Sequence, residues 1–289
     1  MPTAEEIRLL HSQSPVIFQS IEMLDKIVAI LDALETKPGL RLSEIVRLTG
    51  IPKPTCHRLL QVLLRQRLVA RQGYRYEAGT RLYRYVYGAL TQEPVRRVAV
   101  PHLRALSRQT EMAGLLSVRY DAFRVLVAVE GDPALVPAEW AVGSVAVIYA
   151  GAASKTLLAW LDRAERDVVL SGIQRQPLTD GTIVSRADLE RELERIRQRG
   201  WALSLGEREP DTFSLAAPVF DAAGRIAAAV AVAAPLVRYR PALVGRWVGP
   251  LLECGRQISA EMGFRGIYRP LARYTPVRSG GLGPRVGAM

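Results

Sequence analysis

The side chains with the most readable chemistry lie on one short stretch, Lys53 to Arg65 (KPTCHRLLQVLLR). Arg58, Gln61 and Arg65 recur at helical spacing and share one helix face, flanked by His57 and Thr55. Cys56, Leu59, Leu60, Leu63 and Leu64 fall at i, i+3, i+4, i+7 and i+8, which makes a single apolar stripe behind that face. A guanidinium offers paired donors to guanine or phosphate, and a carboxamide matches the edge of adenine. A helix apolar behind and carrying such groups in front has the chemistry to enter a DNA major groove.

Such a helix needs a partner crossing it steeply through a tight turn. The preceding segment, LSEIVRLTG (42–50), supplies one. Ser43 is expected to cap it, Glu44 suits the dipole of its first turn, and Gly50 ends it. Pro52 and Pro54 then restart the chain where a missing N–H costs least. Ser43, Lys53 and Thr55 lie near helix N-termini and are expected to fix register on phosphates. From Ser20 to Glu35 the positions Ile21, Leu24, Ile27, Val28, Leu31 and Leu34 repeat with helical period, with Ser20 as the expected cap of a covering helix. After the groove-facing helix, LVARQGYRYEAG alternates around Gly73 and predicts a β-hairpin, the wing of a winged helix. Arg71 and Arg75 flank its turn, where a wing meets the sugar–phosphate backbone. A further helix, Thr80 to about Thr91, is closed by Pro94.

Charge supports the same reading once it is located. The chain has 289 residues and a net charge of +11. From Arg41 to Arg97 twelve Lys/Arg face three acids, and eleven of the twelve are Arg. Residues 98–264 are neutral overall, and the tail from Arg265 carries five arginines and no acid. Positive charge concentrated at the helix pair and at the wing and helix beyond it marks phosphate contact. Two cysteines, Cys56 and Cys254, both on apolar helix faces, make no disulfide framework and imply a reducing compartment. The acidic N-terminus is not a secretory signal, and the longest apolar run, Ile226–Val237, is too short to span a membrane. A soluble, cytoplasmic protein without a membrane partner is expected.

Enzyme motifs fail on their own chemistry. GAASKT (151–156) has a phosphate-loop flavour, but Tyr149 and Ser154 stand where that loop needs glycine. His11, His57 and His102 share no metal-ligand spacing with the cysteines, so no metal or cofactor is expected. Cys56 and His57 are adjacent on a helix and point apart. Ser154 and Lys155 form only a remote Ser–Lys pair, and no catalytic constellation emerges.

Beyond Pro94 the pattern reads as a helix (95–110), strands at 115–120 and 124–129, helices at 154–161 and 163–171, and the well-signalled helix 185–199. The last of these has Ser185 as cap, Asp188 completing a capping box and Gly200 as stop. Strands at 213–220 and 225–233 and a helix from Pro241 to about Met262 complete the pattern. Helices around an antiparallel sheet give an α+β domain.

Four segments in order carry a resemblance over about Ile17 to Phe264. They are IPKPTCHRLLQVLLRQRLV with GYRYEAGTRL, then GAASKTLLAWL, then PLTDGTIVSRADLERELERIRQRGWALSLGE, and finally SLAAPVFDAAGRIAAAVAV. Together they resemble the IclR family of bacterial transcription regulators. The resemblance implies an N-terminal winged helix-turn-helix, a linker helix and a C-terminal GAF-like effector-binding domain with a central antiparallel sheet. It also implies a homodimer or homotetramer that binds double-stranded operator DNA and responds to a small-molecule effector. The expected divisions are a flexible leader (1–15), the DNA-binding domain (16–79), the linker helix (80–93), the effector domain (94–265) and a disordered basic tail (266–289).

The candidate effector-binding groups carried over are Tyr149, Gly151, Ala152, Ser204, Thr212, Phe213, Ser214, Ala231 and Ala233. Ala231 and Ala233 stand where some members place polar ligand contacts. Either they line a pocket with few hydrogen-bonding groups, suited to an apolar or aromatic effector, or they only permit tight strand–helix packing. Two rival functions stay open on the sequence. One is an architectural DNA-binding protein without a ligand response; the other is a small-carboxylate enzyme using Lys155.

Overall fold

The computed structural model describes residues 15–272 except 38, 138 and 139. The expected leader therefore lies outside the described residues up to position 14, and the expected tail lies outside them from 273. The chain divides into two compact units, residues 1–92 and 93–289.

In the first unit α1 (Pro15–Thr36) is followed by β1 (Leu40–Arg41), α2 (Leu42–Thr49), α3 (Lys53–Arg65), the hairpin β2 (Val69–Gln72) and β3 (Arg75–Ala78), and α4 (Arg81–Thr91). The three strands pair antiparallel in the order β1-β3-β2. Ile30, Leu34, Leu40, Ile45, Cys56, Leu60, Leu63, Val69 and Tyr76 form one core, drawn from every element except α4. Two caps differ from expectation. Ser20 lies inside α1 rather than at its cap. Ser43 is the second residue of α2, whose cap is Arg41. There the Glu44 carboxylate, three residues on, accepts the Arg41 backbone N–H at 2.8 Å. Gly50 ends α2 in the left-handed region (φ 68°), its N–H bonded to Val46 O at 2.9 Å.

The second unit begins with α5 (Pro94–Thr110), the hairpin β4 (Ala113–Tyr120) and β5 (Phe123–Glu130), and β6 (Val145–Val147). It continues with α6 (Ala152–Ala159), α7 (Arg163–Ser171), α8 (Arg186–Arg199), β7 (Ala202–Leu205), β8 (Thr212–Phe220), β9 (Ile226–Pro235), α9 (Val244–Glu261) and α10 (Arg269–Ala272). The strands form one antiparallel sheet in the order β6-β5-β4-β9-β8-β7. This is the α+β architecture that the pattern indicates. On one face Val95, Ala99, Leu103 and Leu106 of α5 and Val248, Leu251, Leu252 and Ile258 of α9 pack on Leu116, Phe213, Leu215, Val230 and Val232. On the other face α6 and α8 cover Leu115, Leu126, Ala216, Ala229, Ala231 and Ala233. The small side chains of that second face let α6 lie close to the sheet. Ser185 caps α8 by accepting the Asp188 N–H at 3.4 Å, while the Asp188 carboxylate pairs with Arg191. Among the described residues no helix is long and apolar enough to cross a membrane.

The expectation of disorder from 266 is corrected for its first residues. Tyr268 is buried, its hydroxyl donates to Pro218 O at 2.6 Å, and its ring sits 5.7 Å from that of Phe220. Pro270 packs against the turn that ends α8, so tightly that a Cβ on Gly200 would lie 2.6 Å from Pro270 Cα. Composition gave no sign of this, because one buried aromatic anchors a segment otherwise rich in Gly, Pro and Arg. Removing that hydroxyl strands a buried carbonyl, so Tyr268→Phe is expected to lower unfolding free energy by about 1–3 kcal/mol. Urea denaturation followed by tryptophan fluorescence measures it; an unchanged midpoint would mean that the segment is not docked.

Candidate DNA interface and small-molecule cleft

In the first unit Cys56, Leu59, Leu60 and Leu63 turn inward from α3, and Leu64 is half-buried. Lys53, His57, Arg58 and Arg65 are exposed, and Thr55 and Gln61 are half-buried. Gln61 Nε2 lies 3.4 Å from His57 Nε2, so the amide is held beside the imidazole across one helical turn. Ser43 is exposed at the start of α2. The wing turns through two residues, Gly73 and Tyr74. Arg71 Nε donates to Gly73 O at 2.7 Å and its guanidinium lies 5.7 Å from the centre of the Tyr76 ring. Arg75 Nη1 donates to Gly39 O at 2.6 Å. Both arginines thereby stiffen the hairpin while remaining at the surface. Tyr74, at the wing tip, is 83% exposed, and no sequence pattern singles it out.

In the second unit a cleft opens on the α6 side of the sheet, with about 440 Å³ between its walls, open solvent at its mouth included. Leu115 and Ser117 of β4, Arg124 of β5, Ser204 of β7, Thr212 and Ser214 of β8 and Ala231 of β9 face it. The N-terminal end of α6 (150–154), the loop 207–209 and Trp140 complete it. Six of the nine sequence candidates line this cleft: Gly151, Ala152, Ser204, Thr212, Ser214 and Ala231.

The other three do not. Phe213 lies between Thr212 and Ser214, so strand alternation sends it to the opposite face, where it packs 5.4 Å from the rings of Tyr239 and Trp247. Ala233 is fully buried in the core of the α6 face, outside the cleft wall, with Ser214 and Ala113 as its strand partners. The Tyr149 hydroxyl is spent on the Gln176 backbone, donating to its carbonyl at 3.0 Å and accepting its N–H at 3.1 Å. Its role is to tie down a loop.

The cleft is also more polar than an alanine-lined pocket, and the expectation of few hydrogen-bonding groups is corrected. Arg124 is buried at 4% exposure, and burial together with nearby Arg208 brings its pKa down to about 9. Arg208, also lowered by burial, lies over the Trp140 ring at 5.2 Å. One signal was available: Ser117 and Arg124 fall in phase with Leu115 and Leu126, at positions where a covered strand is ordinarily apolar.

Lys155 is among the largest fully buried side chains of the described residues. Its ammonium is hydrogen-bonded to Glu207, donates to Leu203 O at 2.9 Å and lies 3.7 Å from Glu192 Oε1. The second Glu207 oxygen accepts the Gly151 N–H at 3.0 Å. Ser154 Oγ donates to Val147 O at 3.0 Å. These contacts give Lys155 a structural task, bracing α6 against the loop after β7, and leave nothing for the Ser–Lys reading.

A winged helix with a basic outer face and a second unit built around a polar cleft define a one-component, ligand-responsive DNA-binding regulator. Residues 87–260 match the family described as bacterial transcriptional regulator IclR C-terminal, and residues 23–73 match the IclR helix-turn-helix domain. The chain belongs to the IclR family of bacterial transcriptional regulators. It is 31% identical to the HTH-type transcriptional regulator BhcR of Paracoccus denitrificans, over 84% of this chain and 88% of that protein. The IclR of Thermotoga maritima superposes with a TM-score of 0.72 at 25% identity, covering 84% of this chain and all of that one. An IclR homologue from Microbacterium hydrocarbonoxydans, crystallised with 4-hydroxybenzoate, shares the fold with a TM-score of 0.70 at 22% identity over 83% of this chain and 98% of that one. The curated relatives are regulators rather than enzymes.

The buried pair predicts an asymmetry. Lys155→Met leaves the Glu207 carboxylate uncompensated and is expected to cost about 3–5 kcal/mol of stability. The double variant with Glu207→Gln should recover much of that loss. A double-mutant cycle by chemical denaturation reads the coupling, and additive effects would show the two groups to be independent.

Proposed function

We propose that this regulator reads a two-fold operator as a dimer, or as a pair of dimers, and that a small organic molecule in the cleft changes its affinity for that operator. The observation that carries the DNA half is the outer face of α3: Arg58, Gln61 and Arg65 stand opposite the buried stripe of Cys56, Leu59, Leu60 and Leu63. Gln61 suits adenine and the two arginines suit guanine or phosphate. His57, Lys53, Thr55 and Ser43, with Arg71 and Arg75 of the wing, fix register on the backbone. A two-fold protein matches a two-fold site, so paired half-sites about one helical turn apart, or a multiple of it, are expected. The work is cytoplasmic, where bacterial DNA is.

The effector half rests on the cleft. Its walls set Leu115, Trp140 and the alanines beside polar groups such as Ser117, Arg124, Ser204, Thr212 and Ser214, a mixture able to hold and orient a small molecule. The apolar part of that lining suits an aromatic or apolar body in chemistry, and a homologue of this fold was crystallised with 4-hydroxybenzoate. The change in operator affinity can be no larger than the ligand's preference for the DNA-bound over the free protein, or the reverse.

Fluorescence anisotropy with the DNA upstream of the protein's own coding sequence, against scrambled DNA, tests both halves. Preference for the upstream DNA that benzoates or short aliphatic acids shift is the expected result. Equal binding to both DNAs with no response would favour the architectural alternative. Arg58→Ala should weaken specific binding by about 1–3 kcal/mol, and unchanged affinity would show that this face is not the groove face. Ala231→Phe, which fills the cleft, should abolish the ligand response while operator binding persists; a surviving response would place the effector elsewhere.

A further inference from the structure

Arg124 is a cation buried without a counter-charge. Nη1 donates to Ser117 Oγ at 3.1 Å, and Nη2 is fully buried with no hydrogen-bond partner. Among the described residues no carboxylate pairs with it, and the charged neighbour acting on it is another arginine, Arg208. The negative groups of the cleft are already engaged: Glu207 by Lys155 and the Gly151 N–H, and Glu209 by Arg208 at 3.8 Å. A second orphan, Trp140 Nε1, is also a buried donor on the cleft wall. Two unpartnered donors, one of them charged, thus belong to residues that line the cleft. A buried donor without a partner carries a desolvation cost, greatest for a charged one, and an acceptor on a bound molecule would remove it.

We propose that Arg124 is the residue that selects the effector by charge, binding a carboxylate group of the ligand between β4 and β5, beside Ser117. The inference rests on the cleft being the effector site and narrows its occupant to an organic anion with a flat apolar body. It also orients that occupant. At the N-terminal end of α6, an otherwise natural place for an anion, the Gly151 N–H is already taken by the Glu207 carboxylate. The acid group is assigned to Arg124, and the body of the ligand to the apolar part of the lining, Leu115, Ala152 and Ala231 among it.

Isothermal titration of the full-length protein with 4-hydroxybenzoate and its neutral isostere 4-hydroxybenzamide separates the ideas, with thermal melting of the ligand-free protein alongside. The acid should bind at least tenfold more tightly than the amide. Arg124→Gln should erase that preference, and Arg124→Lys, which keeps the charge, should retain more of it. Arg124→Met removes a buried unpaired cation, so its ligand-free Tm should equal or exceed that of the wild type. Equal binding of acid and amide to the wild type would overturn the charge-selection role while leaving the cleft as the effector site. Binding of neither would overturn both readings. Retained acid preference in Arg124→Gln, or a lowered ligand-free Tm in Arg124→Met, would show Arg124 to be a structural residue only.

Discussion

A sheet covered on both faces must divide the side chains of every strand between two neighbours, one residue at a time. In β8 and β9 that constraint organises the whole second unit. One set of alternate residues includes the bulky side chains and meets α5 and α9, where Phe213, Leu215, Val230 and Val232 pack with two long helices. The other set is small or hydroxylic: Thr212, Ser214 and Ala216 on β8, with Ala229, Ala231 and Ala233 on β9. Small residues let α6 settle close to the sheet at one end, and at the other end they leave a cleft. The cleft is thus not a packing fault. It is the space left where β8 and β9 turn short side chains toward a covering helix.

Charge is handled in two ways within a short distance. Lys155 and Glu207 are both buried, yet each has its opposite charge and further hydrogen bonds, so the desolvation cost is offset and α6 is held in place. Arg124 has burial without that compensation. The first arrangement is a brace that has no use for a ligand. The second is incomplete by itself. Comparing the two separates the lysine, which looked chemically interesting in the sequence, from the arginine, which did not.

Legibility tracks the range of the interactions. The helix-turn-helix can be read almost residue by residue, because caps, stops and the apolar stripe of α3 are set by neighbours a few positions away. Even there Ser43 misleads: a good capping residue stands in LSE, but the Glu44 carboxylate serves the backbone of Arg41 and starts the helix earlier. In the second unit the long strands are visible from composition, while β6 and β7, three and four residues long, are not. Phe213 falls outside the cleft because a period of two divides it from Thr212 and Ser214, a separation that adjacency in the chain hides. Arg124, Trp140 and Glu207 come together from a strand and two separate loops, and no local pattern announces such a meeting.

The two cysteines have a consequence of their own. Cys56 sits in the core of the first unit and Cys254 in that of the second; both are buried, and burial raises each thiol, that of Cys254 up to about 12. A thiol that is both hidden and protonated reacts only when its surroundings open. The chain therefore carries one native chemical clock in each of its units. The rates at which an alkylating reagent labels the two positions would report, separately and without any added probe, how often the DNA-reading head and the ligand-holding body breathe.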